Sequence, residues 1–121
     1  MTTQEVANRY YELIKKEERE QIQNELYSEN IVCQEPEHTA EMGMQVITKG
    51  LVAVKAKGKA RSEMIEQVHS SFCTEPVVGG KYFSVAMGRD LTFKGKPRRQ
   101  LSEIAVFQVE NGKIITEQFF Y

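Results

Sequence analysis

The chain has 121 residues, 40% of them apolar and 27% charged, and its 16 Lys and Arg nearly balance 17 Asp and Glu. This length and composition predict one globular domain, spanning residues 1–121, with a single core. The near-neutral charge argues against the basic surface with which nucleic-acid-binding proteins neutralise phosphates. The apolar runs are far shorter than the ~20 residues that span a bilayer, and the first residues lack a signal-peptide pattern. We therefore expect a cytoplasmic protein with neither a nucleic acid nor a membrane as partner.

Helical patterns fill the first part of the chain. A capping-box motif precedes apolar residues spaced at i, i+4, i+7 and i+8, which predicts an amphipathic helix over residues 3–16. Ile22 and Leu26 lie one turn apart and predict a second, shorter helix, followed by a turn at residues 28–30. The protein is thus expected to begin with two consecutive helices.

The next segment is predicted to contain a strand, a loop and the start of a helix. Residues 31–35 begin with β-branched side chains and end before Pro36, which predicts a short strand. Residues 36–46 have no clear period and predict an irregular loop, of the kind that often borders a site. Thr48 is predicted to cap a third helix whose many lysines face solvent.

The second half of the chain has the two-residue period of β-strands. Asn111–Gly112 is a strong signal for a hairpin turn. Helices followed by consecutive strands predict an α+β fold, with the helices gathered on one face of a strongly curved antiparallel sheet. The predicted strands are 67–75, 81–93, 98–110 and 113–121.

Both faces of the predicted sheet carry apolar side chains. In the strand over 98–110, for example, Leu101, Ala105 and Phe107 alternate with Ile104 and Val106, so neither face is clearly polar. One face is expected to be covered by the helices, and a second copy of the chain would cover the other. The sequence therefore predicts a homodimer formed through the sheet.

Three charged residues interrupt otherwise apolar sets on successive strands: Arg89, Glu103 and Glu117. If these sets face the helices, one cation and two carboxylates converge in an apolar cavity, where they could orient a water molecule or a carbonyl group. Alternatively, one or more of them point outward and form cross-strand surface pairs. The first arrangement makes these three residues the candidate catalytic group.

Other polar and apolar side chains are candidates for the lining of such a pocket. His38 lies between acidic neighbours that favour its protonated form, although an exposed loop histidine is the alternative. Cys33 and Cys73 lack partners at metal-ligand spacing, so we expect reduced, buried thiols and neither a metal nor an organic cofactor. The predicted ligand-binding residues are Tyr10, Glu35, His38, Met42, Met87, Phe107 and Phe119.

The segment from Arg98 to Tyr121 resembles the C-terminal hairpin of the SnoaL-like group in the NTF2-like superfamily. The specific part is Glu103-x-Ala105-Val106-Phe107 followed by Asn111-Gly112-Lys113-Ile114 and an aromatic-rich last strand, and the order of elements before it also matches. The resemblance implies a cone-shaped curved sheet that wraps helices around an apolar pocket, commonly in a dimer. It identifies the fold better than the activity, because the superfamily holds several kinds of enzyme and many binding modules.

Each enzyme class in that superfamily implies different residues here. Ketosteroid isomerases use a helix tyrosine, a carboxylate base after the first strand and a second acid in the sheet. Limonene epoxide hydrolases place an arginine between two carboxylates, as in the group Arg89, Glu103 and Glu117. Polyketide cyclases use a histidine and an aspartate, and the only aspartate, Asp90, is predicted to face away from the pocket. The nearest positions for the isomerase set are Tyr10 or Tyr11, Glu35 or Glu37, and Glu103.

The sequence therefore predicts a pocket protein for a small apolar molecule with one polar end. Glu103 or Glu117 would act as general base in an isomerisation, cyclisation or hydration, with Arg89 or Tyr10 stabilising developing negative charge. The competing hypothesis is a non-catalytic ligand-binding or dimerisation module.

Overall fold

A computed structural model describes residues 1–121 as three α-helices, one short 3-10 helix and seven strands. None of the helices combines the length and the apolarity needed to cross a membrane. The elements are α1 (Thr3–Lys15), α2 (Arg19–Leu26), β1 (Tyr27–Gln34), the 3-10 helix (Glu37–Met42), β2 (Ile47–Lys49), α3 (Leu51–Glu63), β3 (Ile65–Cys73), β4 (Val77–Gly79), β5 (Tyr82–Phe93), β6 (Arg98–Glu110) and β7 (Lys113–Phe120).

All seven strands belong to one curled, unclosed sheet in the order β2-β1-β7-β6-β5-β3, with β4 paired to β5. The predicted α+β fold is confirmed. One strand pair departs from the antiparallel expectation, because β1 runs parallel to β7. A parallel pair needs a long connection, and most of the chain separates these two strands.

Helix α1 begins as its capping box predicts. The Thr2 hydroxyl accepts a hydrogen bond from the Glu5 backbone N–H at 3.1 Å, and Glu5 Oε1 accepts one from the Thr2 N–H at 2.9 Å. The apolar side of the helix, including Val6, Tyr10 and Leu13, is buried against the sheet. This contact holds the helix on the concave face of the sheet.

Two local predictions from the sequence are wrong. Residues 28–30 do not form a turn, because β1 already begins at Tyr27, whose side chain is buried. Thr48 does not cap α3, since it lies in β2 and the N-cap residue is Gly50. Gly50 has a φ of 91°, a backbone conformation that glycine adopts without steric cost.

The core fills the inner part of the fold with aromatic rings. The Tyr10 ring centroid lies 4.7 Å from that of Phe107 and 5.6 Å from that of Phe83, and Phe83 stacks on Phe107 at 4.7 Å. Such tilted and offset geometries are favourable for aromatic pairs. Much of the interior that the sequence predicts as a pocket is therefore occupied by packed side chains.

A bulge changes which residues of β7 face the core. Val109 pairs with Ile114 and Gln108 pairs with Thr116, so Ile115 is left without a partner in the ladder. Ile114 is consequently buried on the core side, and so is Glu117 beyond the bulge. Strict alternation along this strand cannot place both on one face.

Candidate functional site

Arg89 and Glu103 lie on the same concave face of two neighbouring strands. Glu103 pairs directly with Met87, and Arg89 pairs with Leu101, so the two charged residues are diagonal neighbours. Both are half-buried. Neither side chain has a hydrogen bond or an ion pair to another residue of the protein. We call the region around Arg89 and Glu103 the mouth site.

The surroundings of the mouth site shift the ionisation of both groups. Burial, with the repulsion of Arg19, lowers the pKa of Arg89 to about 10. Burial also raises the pKa of Glu103, and the charge of Glu35 adds to this rise. The neutral form of each group is thus favoured relative to water, as expected for partly desolvated charges without a partner.

Other charged side chains face the mouth site from the helices. Arg19 and Arg61 lie near enough to influence the pKa of both Arg89 and Glu103, and Glu17 influences that of Arg89. Two guanidinium groups besides that of Arg89 therefore act on the site electrostatically, and Arg19 is itself paired with Glu17 at 3.1 Å. Glu17, Arg19 and Arg61 could not be assigned to this site from the sequence, because no helical period links them to the strands.

The connector between α1 and α2 places Glu17 and Arg19 by a defined turn. The Glu18 N–H donates to the Leu13 carbonyl at 3.1 Å and the Glu17 N–H donates to the Ile14 carbonyl at 3.0 Å. These are the two bonds of a Schellman motif, with Glu17 in the left-handed region at φ 57°. Glycine is the usual residue there, so a glutamate at this position carries a backbone cost.

Glu117 occupies a separate position, deeper in the fold. Its partner on β6 is Phe107, four residues from Glu103, which separates the backbone positions of Glu117 and Glu103 by about 13 Å along the strand direction. It is 5% exposed, and the Tyr27 hydroxyl donates to its Oε2. Burial raises the pKa of Glu117 despite the opposing effects of Tyr27 and Cys33. The structure thus brings Arg89 and Glu103 together and leaves Glu117 apart.

A chain of polar contacts extends from the region of Glu117 toward the solvent. Lys57 Nζ lies 3.4 Å from Cys33 Sγ and donates to Glu35 Oε1 at 2.8 Å. The Tyr121 hydroxyl donates to Glu35 Oε2 at 2.8 Å. Burial raises the pKa of the Cys33 thiol, and the charge of Glu117 adds to this rise. Glu35 is therefore held by two partners, and Lys57 lies partly inside the protein instead of on the predicted solvated face.

The remaining predicted ligand-binding residues fall into two groups. Tyr10, Met87 and Phe107 are buried in the core, where the Tyr10 hydroxyl contacts Met87 Sδ at 3.7 Å and burial raises the pKa of Tyr10. His38 and Met42 are exposed on the 3-10 helix, and the His38 ring lies edge-on to Tyr121 at 5.8 Å. Only half-buried Phe119 lies between core and solvent, as a ligand-contacting residue would.

The sequence model of the SnoaL-like domain family matches residues 1–121. No curated protein matches the sequence. Among solved structures, a Mesorhizobium loti protein named as a SnoaL-like polyketide cyclase is 27% identical to this chain, with a TM-score of 0.91 and all of both chains covered.

Two more distant structures share the fold and contain small molecules. TerC, co-crystallised with polyporic acid, is 14% identical, with 98% of this chain and 90% of TerC covered and a TM-score of 0.77. A Catenulispora acidiphila protein with a ketosteroid isomerase-like fold, in complex with trimethylamine, is 16% identical, with 83% of this chain and 72% of that chain covered and a TM-score of 0.67.

Proposed function

Because this chain belongs to the SnoaL-like domain family, we propose that it binds a small molecule at the mouth site. The ligand has an apolar ring or chain and one acidic or enolic oxygen end. One observation carries the proposal: Arg89 and Glu103 lie side by side on the concave face, half-buried and without a partner in the protein. Charged groups that are partly desolvated and unpaired are unfavourable unless a ligand or water forms hydrogen bonds with them.

The unpaired guanidinium group of Arg89 supports an oxygen end with acidic character. The other charges that act on the site are balanced, since Arg19 and Arg61 are matched by Glu17 and Glu35, and Arg19 is itself paired with Glu17 at 3.1 Å. An arginine presents its N–H donors in a planar fork that suits an oxyanion. Phe119 and Leu101 offer apolar surface beside these groups. The small molecules bound by TerC and the Catenulispora protein support a small-molecule role for this fold.

Glu103 suits proton transfer better than Glu117 does. Its pKa is raised, which favours a role as general acid or base, and no other residue forms a hydrogen bond with its carboxylate. Glu117 is committed to Tyr27 and closed off from solvent. Arg89 is likewise better placed than Tyr10 to stabilise a developing oxyanion, since the Tyr10 hydroxyl is buried against Met87. Cofactor-independent isomerisation, cyclisation or hydration is the chemistry that this pair can support.

Ligand binding at the mouth site is tested by a thermal-shift screen with phenolic polyketides, steroids, terpenoid epoxides and fatty acids. We expect one class to raise the Tm of the wild type. Arg89→Met is expected to weaken binding of that class at least tenfold, because loss of a charge-assisted hydrogen bond costs about 1.5–3 kcal/mol. The matched control is Lys59→Met, which changes an exposed residue of α3. Equal affinity in both variants would contradict the mouth site.

Catalysis is separated from binding with Glu103→Gln. If the protein is an enzyme for the bound class, this variant keeps its affinity within a few-fold and loses at least a hundredfold in turnover, the usual size of a general-base contribution. Binding by the wild type without turnover of any bound compound supports the alternative, a ligand-binding module. Glu63→Gln is the matched control, because Glu63 is exposed on α3.

We also propose that the convex face of the sheet forms a homodimer. Phe72, Ile104 and Phe120 are each about half-exposed on that face, and Ile104 pairs directly with Phe120 across β6 and β7. A contiguous exposed apolar patch of this kind marks an interaction surface. A self-complementary patch on a symmetric dimer would cover it.

The dimer is tested by light scattering after size-exclusion chromatography. We expect twice the chain mass for the wild type and the monomer mass for Ile104→Lys, because a charge at the centre of an apolar interface is costly to bury. Val52→Lys is the control, since Val52 is an exposed apolar residue of α3 away from the sheet. A monomeric wild type at high concentration would disprove this interface.

A further inference from the structure

A cleft lies at the edge of the fold, away from the mouth site. It is formed by α3 on one side and by β2 and the loop before β2 on the other. Its volume is about 410 Å³, within the range of small-molecule sites. It shares no residue with the mouth site, and Thr48 and Lys57 are its polar residues nearest the core. We call it the edge cleft; it is lined by Met44, Gln45, Thr48, Ala53, Ala56 and Lys57.

The Thr48 side chain makes the edge cleft unusual. Thr48 is 3% exposed, and its hydroxyl oxygen is the one buried side-chain nitrogen or oxygen in the protein without a hydrogen-bond partner. A buried polar group left without a hydrogen bond is unfavourable, because it has lost its hydrogen bonds to water. Threonine is therefore unfavourable for stability at this position unless a molecule from outside the protein forms a hydrogen bond with its hydroxyl group.

Lys57 supplies a second donor in the same cleft. Its ammonium group has three N–H donors, of which one is directed to Glu35 and one to Cys33. Cys33 and Thr48 are direct partners on β1 and β2, which places their Cβ atoms about 4.5–5.5 Å apart. The Lys57 ammonium group thus lies next to Cys33, the strand partner of Thr48, and both Lys57 and Thr48 have a donor to spare.

We propose that the edge cleft binds a small neutral molecule through a carbonyl oxygen. Two donors on different side chains suit an acceptor with two lone pairs, such as the oxygen of an amide or a ketone. Glu35 already neutralises the charge of Lys57 at 2.8 Å, so an anion would be desolvated here without a counterion. Met44, Ala53 and Ala56 form a small apolar surface, which suits a ligand with a short apolar part.

The wall on the solvent side permits entry. Met44 is half-buried and Gln45 is exposed, and both have unbranched, flexible side chains. Because both line the cleft, we expect rotation of these side chains to give a ligand access to the Thr48 hydroxyl. Ala53 and Ala56 are one turn apart on α3 and leave the helix surface open above the cleft.

The test is an NMR titration of the backbone amides with butanamide, a small neutral carbonyl compound. We expect saturable shifts at Thr48, Ala53 and Ala56. Thr48→Val keeps the shape and removes the hydroxyl, and it is expected to raise the apparent Kd at least tenfold while Tm stays equal or rises. Ala56→Leu fills the cleft and is expected to abolish the shifts, whereas the exposed Ala60→Leu on the same helix leaves them unchanged.

Each result bears on the edge cleft alone. Glu103→Gln is expected to retain the butanamide shifts, so that loss of function at the mouth site is distinguishable from loss of this site. Shifts that do not saturate, an unchanged Kd in Thr48→Val, or a crystal soaked in butanamide that shows only a water molecule on Thr48 would each overturn the proposal.

Discussion

Alanine in place of Gly88 is expected to lower the free energy of unfolding by about 1–3 kcal/mol, the usual result of overpacking. A Cβ atom at this position would lie 2.2 Å from the carbonyl oxygen of Leu101 and 2.7 Å from Cε1 of Phe72. The Phe72 ring is able to move, but the Leu101 carbonyl belongs to the backbone of β6. Strands β5 and β6 would therefore have to move apart.

Gly79→Ala is the matched control for this substitution. Gly79 is also a strand glycine, in β4, and a Cβ atom there would meet nothing within 4 Å. Urea unfolding followed by circular dichroism gives the free energy of both variants. A Gly88→Ala variant as stable as Gly79→Ala would mean that the close approach of β5 and β6 is not required by the fold.

The same substitution is expected to disturb the mouth site. Gly88 directly precedes Arg89, and Leu101 is the partner of Arg89 on β6. A displaced Leu101 backbone therefore changes the position of Arg89 relative to Glu103. Binding of the class found in the thermal-shift screen should weaken more in Gly88→Ala than in Gly79→Ala.

Glu117→Gln is expected to flatten the dependence of stability on pH. Burial raises the pKa of Glu117 in the folded state, because its side chain is almost completely removed from water. The protonated carboxyl is thus favoured in the folded protein. Glutamine has the same shape and remains neutral at every pH, so the variant lacks this titration.

The sign of the effect follows from proton linkage. Below the ordinary glutamate pKa of about 4.3 both states hold the proton, and the contribution of Glu117 to stability is fully present. As pH rises above that value, the unfolded chain loses its proton first, and the free energy of unfolding falls by up to about 1.4 kcal/mol per pH unit for this group. The fall ends once pH has passed the raised pKa of the folded state.

Urea unfolding between pH 4 and pH 9 measures this difference. We expect the wild type to lose stability relative to Glu117→Gln as pH rises, with the two proteins closest at the acid end. Glu63→Gln changes an exposed glutamate, and its curve should run parallel to that of the wild type. Parallel curves for the wild type and Glu117→Gln would show that Glu117 is ionised in the folded protein without cost.

Much of the fold could be predicted from local patterns. The capping box at Thr2 and Glu5 placed the start of α1, and the hairpin signal at Asn111–Gly112 placed the turn between β6 and β7. Period-two alternation also assigned Phe83 and Phe107 to one face, which is the buried face. These features depend on neighbours close in sequence, so a single chain suffices to predict them.

Other local features depended on contacts that are distant in sequence. The polar residues at 28–30 resemble a turn, but β1 continues through them, because β1 pairs with β7 both before them, at Tyr27, and after them, at Val32. Thr48 resembles an N-cap, but its pairing with Cys33 places it in β2. In both cases strand pairing outweighed the local preference, as tertiary contacts often do.

Some features of the candidate site could likewise be predicted from the sequence, and others depended on tertiary contacts. The sequence by itself placed Arg89 and Glu103 in the apolar sets of their strands but left open which face these sets take. The structure puts both on the concave face, where the pairing of β5 with β6 is regular from Tyr82 to Gln108. Only the tertiary structure separated Glu117 from them, since that distance depends on the register between β6 and β7 and on the bulge at Ile115.

The positions of the helical residues near both sites were likewise determined by how the helices pack on the sheet. Arg19 and Arg61 reach the mouth site, and Lys57 reaches Glu35, because the helices cross the sheet at particular places. A helical period shows which side chains share a face, whereas the position of that face over the strands is set by how the core side chains fit together. The type and order of the long helices and strands were therefore determined by the sequence, whereas the short strands β2 and β4 and the partners of the charged groups were decided by the tertiary fold.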